Sequence, residues 1–305
     1  MTMQRTLRDV LASARIGSAA GAHNALTARL VEQAGYDVVW ASGLEISASM
    51  AVPDANILTM SDVLAVAASM AAKVRIPVLA DCDSGFGGTA NVAAMVRAYE
   101  AAGIQGVCVE DKTFPKLNSF VAGNQSLVPI EDFCGKLAAA RENRSSDAFV
   151  VIARIEAFIA GFGLHEALVR ARAYEAAGAD ALLIHSKRAD ATEIEGFLAA
   201  YDGELPVVVV PTTYKETTLT DLQRMGASLA IYANQGLRSA ISSTRTTLRT
   251  ILECGSAAAV DDSIAPLQEV FDLQDMADHV SREARYEAIG RDVAMAAESP
   301  APRVG

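Results

Sequence analysis

Eight short apolar runs alternate along this chain with longer stretches in which apolar residues recur three or four positions apart. The runs cover residues 16–21, 37–42, 77–81, 105–110, 149–154, 180–185, 206–211 and 228–233. Most are too uniformly apolar for half-solvated strands, so they are predicted as strands buried on both faces, PVVVVP at 206–211 most plainly. The intervening helical stretches stop alike. Gly35, Gly103, Gly178 and Gly226 each stand one or two residues before the next strand, where a left-handed glycine ends a helix. Asp190, with Glu193 three residues on, predicts a capping box opening a helix through Leu198. Eight such alternations match an α/β fold of the (β/α)8 TIM barrel type. An open doubly wound sheet is the other candidate, but it lacks the usual GxGxxG turn after the first strand.

Two segments interrupt this rhythm. Residues 111–128, DKTFPKLNSFVAGNQSLV, exceed the ~2–6 residues normal for such connections and are expected to form a lid or binding loop. Beyond the eighth unit, 263–273 and 279–289 are predicted helical, and helices there suggest packing on a neighbouring subunit. The expected organisation is a catalytic barrel over 1–254, a helical extension over 255–292 and an unstructured tail over 293–305.

Composition narrows the partners. The 305 residues suffice for one large domain or two small ones. No stretch free of Asp, Glu, Lys and Arg approaches the ~18 residues of a membrane helix. With 26 Lys and Arg against 37 Asp and Glu, the net charge of −11 has the wrong sign for a nucleic-acid partner. Cys82, Cys108, Cys134 and Cys254 show no metal-ligand spacing and are too sparse for a disulfide framework. Arg5, Asp9 and Arg15 break up any secretory apolar segment before residue 16, so a cytoplasmic location is expected.

The active site of such a barrel lies at the C-terminal ends of its strands, and here those ends carry ionisable groups. Strand two leads to Trp40, Ser42 and Gly43 and on to Asp54; strand three ends in Asp81-Cys82-Asp83; strand four in Glu110-Asp111-Lys112; strand five in Arg154-Ile155-Glu156; strand six in His185. Such side chains are seldom buried unless paired or metal-bound. Asp54, Asp81, Asp83 and Glu110 together suit one hard divalent cation such as Mg2+, although singly Asp83 also suits a turn cap and Asp54 a Pro-Asp turn. Arg154 and His185 suit an anionic substrate, and Arg154 could equally pair with Glu156, which faces the same way. His23 reads as a structural histidine bonded to backbone, and Gly85, Gly87 and Gly88 as a turn.

The segment EDKTFPKLNS, Glu110 to Ser119, resembles the EDK-x5-NS signature of phosphoenolpyruvate mutases in the isocitrate lyase/phosphoenolpyruvate mutase superfamily. The resemblance continues through LRDVL, GAHNALTARL, WASGLEISAS, ADCDSGFGG, IARIEAFIAGFG, ADALLIHSK and VVVPTTY. It implies a homodimer or homotetramer with the last helix exchanged between subunits. It also implies Asp81 as direct Mg2+ ligand, with Asp54, Asp83 and Glu110 reaching the metal through water. Trp40, Ser42, Gly43 and Leu44 would line the pyruvyl pocket. Arg154, His185, Asn118 and Ser119 would hold the phosphoryl group, and Lys112 and Lys116 would belong to the gating loop, Lys112 binding substrate and Lys116, like Asp54, taking part in catalysis. The implied reaction interconverts phosphoenolpyruvate and phosphonopyruvate. SASMAVPDANILTM more closely resembles the phosphonopyruvate hydrolase branch, whereas Asn118 stands where that branch usually carries Thr. A superfamily C–C lyase would need a loop Cys, which is missing here; an inactive phosphonate-binding protein would be signalled by a lost metal carboxylate, and none is lost.

Overall fold

In the computed structural model, which describes residues 5–123 and 125–298, all eight apolar runs contain strands. The chain opens with α1 (Leu7–Leu11), β1 (Gly17–Ala22), α2 (Ala25–Gln33), β2 (Val38–Ala41), α3 (Gly43–Ser49) and α4 (Met60–Ala71). It continues with β3 (Val78–Asp81), α5 (Thr89–Ala101), β4 (Gly106–Glu110), α6 (Ile130–Asn143), β5 (Val150–Ile155) and α7 (Leu164–Ala176). Then come β6 (Ala181–Ile184), α8 (Thr192–Ala200), β7 (Val207–Val209), α9 (Leu219–Met225), β8 (Leu229–Tyr232), α10 (Gln235–Cys254), α11 (Leu267–Leu273) and α12 (Met276–Glu298).

The strands pair in parallel and in sequence order, and β8 closes on β1, giving the (β/α)8 barrel. Uniform apolarity follows from burial on both faces. Val38 and Trp40 of β2 pack inside the barrel with Leu79, Ile152, Leu183 and Ile231, while Val39 and Ala41 pack outward beneath the helices. Pairing of β4 with β5 sets Glu110 opposite Arg154. At the opposite, N-terminal end, α1 seals the barrel: Leu7, Val10 and Leu11 join the interior cluster, and the Leu7 N–H donates to the Gln105 side chain at 2.9 Å. This close approach explains two glycines. A Cβ on Gly17 would lie 2.4 Å from Val10 Cγ1, and one on Gly106 would lie 2.6 Å from Leu7 Cδ2.

Gly35, Gly103, Gly178 and Gly226 all have positive φ, between 81° and 101°, at the expected helix ends. The capping box at Asp190 does not form. Glu193 instead accepts from the Ser186 hydroxyl at 2.5 Å, and Asp190 pairs with Arg188 and accepts from the Thr192 N–H, so α8 begins at Thr192 and runs past Leu198 to Ala200. The chain divides into two compact units, the first ending at Ile241 and the second starting at Ser242, so the division falls within α10 and not at 254. In the second unit α11 and α12 occupy the two segments predicted helical, but α12 continues to Glu298. Six residues of the expected tail are therefore helical, and 299–305 lie outside the described residues. Among the described residues no helix is long and apolar enough to cross a membrane.

Candidate active site

A pocket of about 530 Å3, its open mouth included, lies at the C-terminal ends of the strands. Trp40 comes from β2 itself, Ser42 and Leu44 from the start of α3, Asp54 from the α3–α4 connection and Asp81 from the end of β3. Lys116, Asn118, Ser119 and Phe120 come from the long loop after β4, Arg154 from β5 and His185 from just beyond β6.

One wall is basic. Arg154 Nε donates to Glu156 Oε1 at 2.5 Å and lies 3.3 Å from Glu110 Oε2. Residues two apart share a face at the strand end, so Arg154 is paired and still reaches the pocket. Burial disfavours both charges, but mutual attraction wins: Glu156 is held well below the usual carboxylate range by Arg154, His185 and Lys112. His185 Nδ1 lies 2.8 Å from Arg154 Nη2 and 2.7 Å from Glu156 Oε1. Burial lowers the His185 pKa despite Glu156, favouring the neutral ring, against whose edge Phe120 stands with ring centroids 5.8 Å apart. Ser119 Oγ donates to Glu156 at 2.9 Å and accepts from Lys112 Nζ at 2.7 Å.

The facing wall is acidic. Lys116 Nζ lies 2.7 Å from Asp54 Oδ1 and 2.8 Å from Asp83 Oδ1, and Asn118 Nδ2 donates to Asp54 Oδ2 at 2.6 Å. Burial alone would raise Asp54, but Lys116 and Asn118 hold it below its ordinary value. Asp83 goes the other way, to about 6, because burial and the neighbouring Asp81 and Asp54 outweigh Lys116. Glu110, buried beside Glu156, is pushed up to about 7 in spite of Arg154. Its Oε1 is buried without a hydrogen-bond partner. An all-oxygen donor set with an unsatisfied buried carboxylate oxygen fits a hard divalent cation. Among the described residues no three acidic, His or Cys side chains converge as direct ligands.

Of the residues singled out in the sequence, Trp40, Ser42, Leu44, Asp54, Asp81, Lys116, Asn118, Ser119, Arg154 and His185 all line this pocket. Asp83 and Glu110 stand just behind it, and the Gly43 N–H donates to Asp81 Oδ2 at 3.3 Å. Lys112 differs from expectation. It is buried beneath the loop, where its ammonium donates to Leu117 O and Ser119 Oγ and lies 3.3 Å from Glu156, so it braces the loop instead of lining the pocket. His23 also differs: its Nδ1 meets the buried Glu45 carboxylate at 3.1 Å, not backbone. Val210 and Thr212, following β7, and Ala233 and Asn234, following β8, line it as well. Neither Thr212 nor Asn234 carries a charge, so neither stands out among the ionisable strand ends. Asn56 was missed too, although it stands two residues from Asp54: its amide bridges Asp83 and the loop.

The chain matches the family described as "Phosphoenolpyruvate phosphomutase" over residues 7–252. It is 46% identical over 288 residues to a phosphonopyruvate hydrolase of Variovorax sp. (strain Pal2), covering 94% of this chain and 99% of that one. A crystal structure of phosphoenolpyruvate phosphomutase from Streptomyces platensis subsp. rosaceus superposes with a TM-score of 0.91 at 51% identity, covering 92% of this chain and 98% of that one. A phosphonopyruvate hydrolase complexed with oxalate and Mg2+ gives 0.88 at 45% identity, covering 94% and 99%.

Proposed function

Because the chain belongs to the phosphoenolpyruvate phosphomutase family, matched over residues 7–252, we propose that it is a Mg2+-dependent mutase interconverting phosphoenolpyruvate and phosphonopyruvate. In the C–P-forming direction the bond from phosphorus to the enol oxygen breaks and a bond from phosphorus to C3 forms, with no net gain of water or protons. The observation that carries this reading is the Asn118 amide, held by Asp54 on the loop beside Arg154 and His185.

In this mechanism the basic wall binds the migrating group. Arg154 offers a planar fork to the phosphoryl oxygens, fixed by Glu156, and His185, Ser119 and Asn118 supply further contacts. A loose, metaphosphate-like phosphoryl group needs positioning and charge more than covalent help. Trp40, Ser42 and Leu44, with the Gly43 backbone, frame the pyruvyl end. Asp81 is the proposed direct Mg2+ ligand, with Asp54, Asp83 and Glu110 acting through water. When bound, Mg2+ supplies Lewis-acid stabilisation of the enolate oxygen. Lys116 and Asn118 bind the loop to Asp54 and so exclude water, which would otherwise capture the phosphoryl group.

Hydrolysis of phosphonopyruvate to pyruvate and phosphate is the second reading, favoured by the 46% identical relative and by the VPDAN segment. Phosphorus NMR of the protein with phosphonopyruvate and Mg2+ separates the two. A new phosphate-ester signal matching phosphoenolpyruvate supports the mutase. Inorganic phosphate without that ester supports the hydrolase, and an unchanged phosphonate signal overturns both.

A further inference from the structure

The side chain of Asn56 joins two parts of the site without lining the pocket. It lies in the connection between α3 and α4 at φ 56°, in the left-handed region that Asn tolerates better than most residues. Its Nδ2 donates to Asp83 Oδ2 at 2.7 Å, and its Oδ1 accepts the backbone N–H of Lys116 at 2.5 Å. One end of a single amide therefore holds the segment after β3, and the other holds the long loop over the pocket.

That loop is tied to the acidic wall through Lys116 Nζ, through Asn118 Nδ2 and through the Asn56 contact. The first two ties use groups that also line the pocket, so removing either changes the loop and the pocket together. The third grips only backbone. The amide supplies a donor to Asp83 and an acceptor to Lys116 at once. An Asp would keep the acceptor for Lys116 but lose the donor, and would set a second carboxylate against Asp83.

We propose that Asn56 is a positioning residue that latches the loop shut against Asp83, and that the latch sets how the phosphoryl group divides between carbon and water. The latch stands on the geometry alone, whereas the partition rests on the mutase reading above.

Two variants test it. Asn56→Gly keeps a left-handed backbone and removes the amide; Asn56→Asp keeps the shape and removes the donor. Circular dichroism melting checks folding, and if the Gly variant fails to fold, the Asp variant carries the test. Trypsin cleavage after the buried Lys116, without substrate, measures loop opening. Phosphorus NMR with phosphonopyruvate and Mg2+ measures the ratio of phosphoenolpyruvate to inorganic phosphate formed. We expect cleavage at least tenfold faster in both variants and a phosphate fraction raised at least fivefold. Unchanged cleavage in folded variants overturns the latch, whatever the products. Faster cleavage with an unchanged product ratio overturns the partition. If the wild-type protein leaves phosphonopyruvate untouched or converts it only to phosphate, the mutase reading and the partition both fail, and cleavage alone judges the latch.

Discussion

His185 Nδ1 meets two neighbours that ask opposite things of it. To accept from Arg154 it must present a lone pair, and to bond Glu156 it must carry a proton. Burial lowers its pKa below the ordinary 6.5, so the unfolded chain takes up a proton there before the folded protein does. This contribution to stability is complete above pH 6.5 and is lost as the pH falls from 6.5 through the lowered folded value. The raised Asp83 and Glu110 act with the opposite sign, so the comparison needs a variant. Between pH 7.5 and 5.5 the Tm of the wild type should fall further than that of His185→Gln. Equal slopes would show that the ring does not titrate there. For Asn118→Thr we expect phosphoenolpyruvate formation to drop by about a hundredfold, as when a single transition-state donor is lost, with inorganic phosphate appearing in the NMR spectrum. Mutase turnover unchanged and free of phosphate would remove Asn118 from the mechanism. Asp81, Arg154 and His185 were legible because charge at the end of an apolar run is conspicuous, whereas Leu44, Lys116, Asn118 and Ser119 were legible only through the family resemblance. Thr212 and Asn234 were not, and Asn56 acts through a hydrogen bond to a residue 60 positions away.

The long loop after β4 was legible as an excess of length, but its anchor was not. Asp111 is completely buried: it accepts from the Glu156 N–H, from Arg170 Nη1 at 3.0 Å and from the Tyr174 hydroxyl at 2.7 Å. Arg170 Nη1 also donates to Val128 O, where the loop rejoins α6. Thus α7 clamps both ends of the loop through one carboxylate and one guanidinium. Nothing local in YEAAG or ALVRARA announces this, since the partners lie 59 and 63 residues from Asp111. Arg170→Leu leaves that carboxylate buried with too little compensation and should cost about 3–5 kcal/mol, read from urea unfolding. A loss under 1 kcal/mol would show that Tyr174 suffices. Helix ends were read unevenly for a physical reason. A glycine stop depends only on its own backbone, so all four were found. The Asp190–Glu193 cap failed because Ser186, outside the helix, competes for Glu193.

The eightfold alternation made the barrel readable from its strands alone, whereas the fate of the C-terminal helices depends on what they meet. Leu252 of α10 is 84% exposed and Leu248 64%, and Leu267, Val280 and Val293 are exposed too. We propose that a second copy of the chain covers such residues, in a homodimer or homotetramer. Sedimentation equilibrium should give a multiple of 32.0 kDa for the wild type and a smaller species for L248D/L252D; a monomeric wild type would overturn the proposal. At the other end, α1 has a consequence for traffic. With Leu79, Ile152, Leu183 and Ile231 filling the interior and Leu7, Val10 and Leu11 its base, the barrel has a mouth at one end only, and whatever enters by the neck must leave by it. In the isomerisation proposed above, reactant and product have the same atoms and nearly the same bulk, so one opening would have to serve both entry and exit in every turnover.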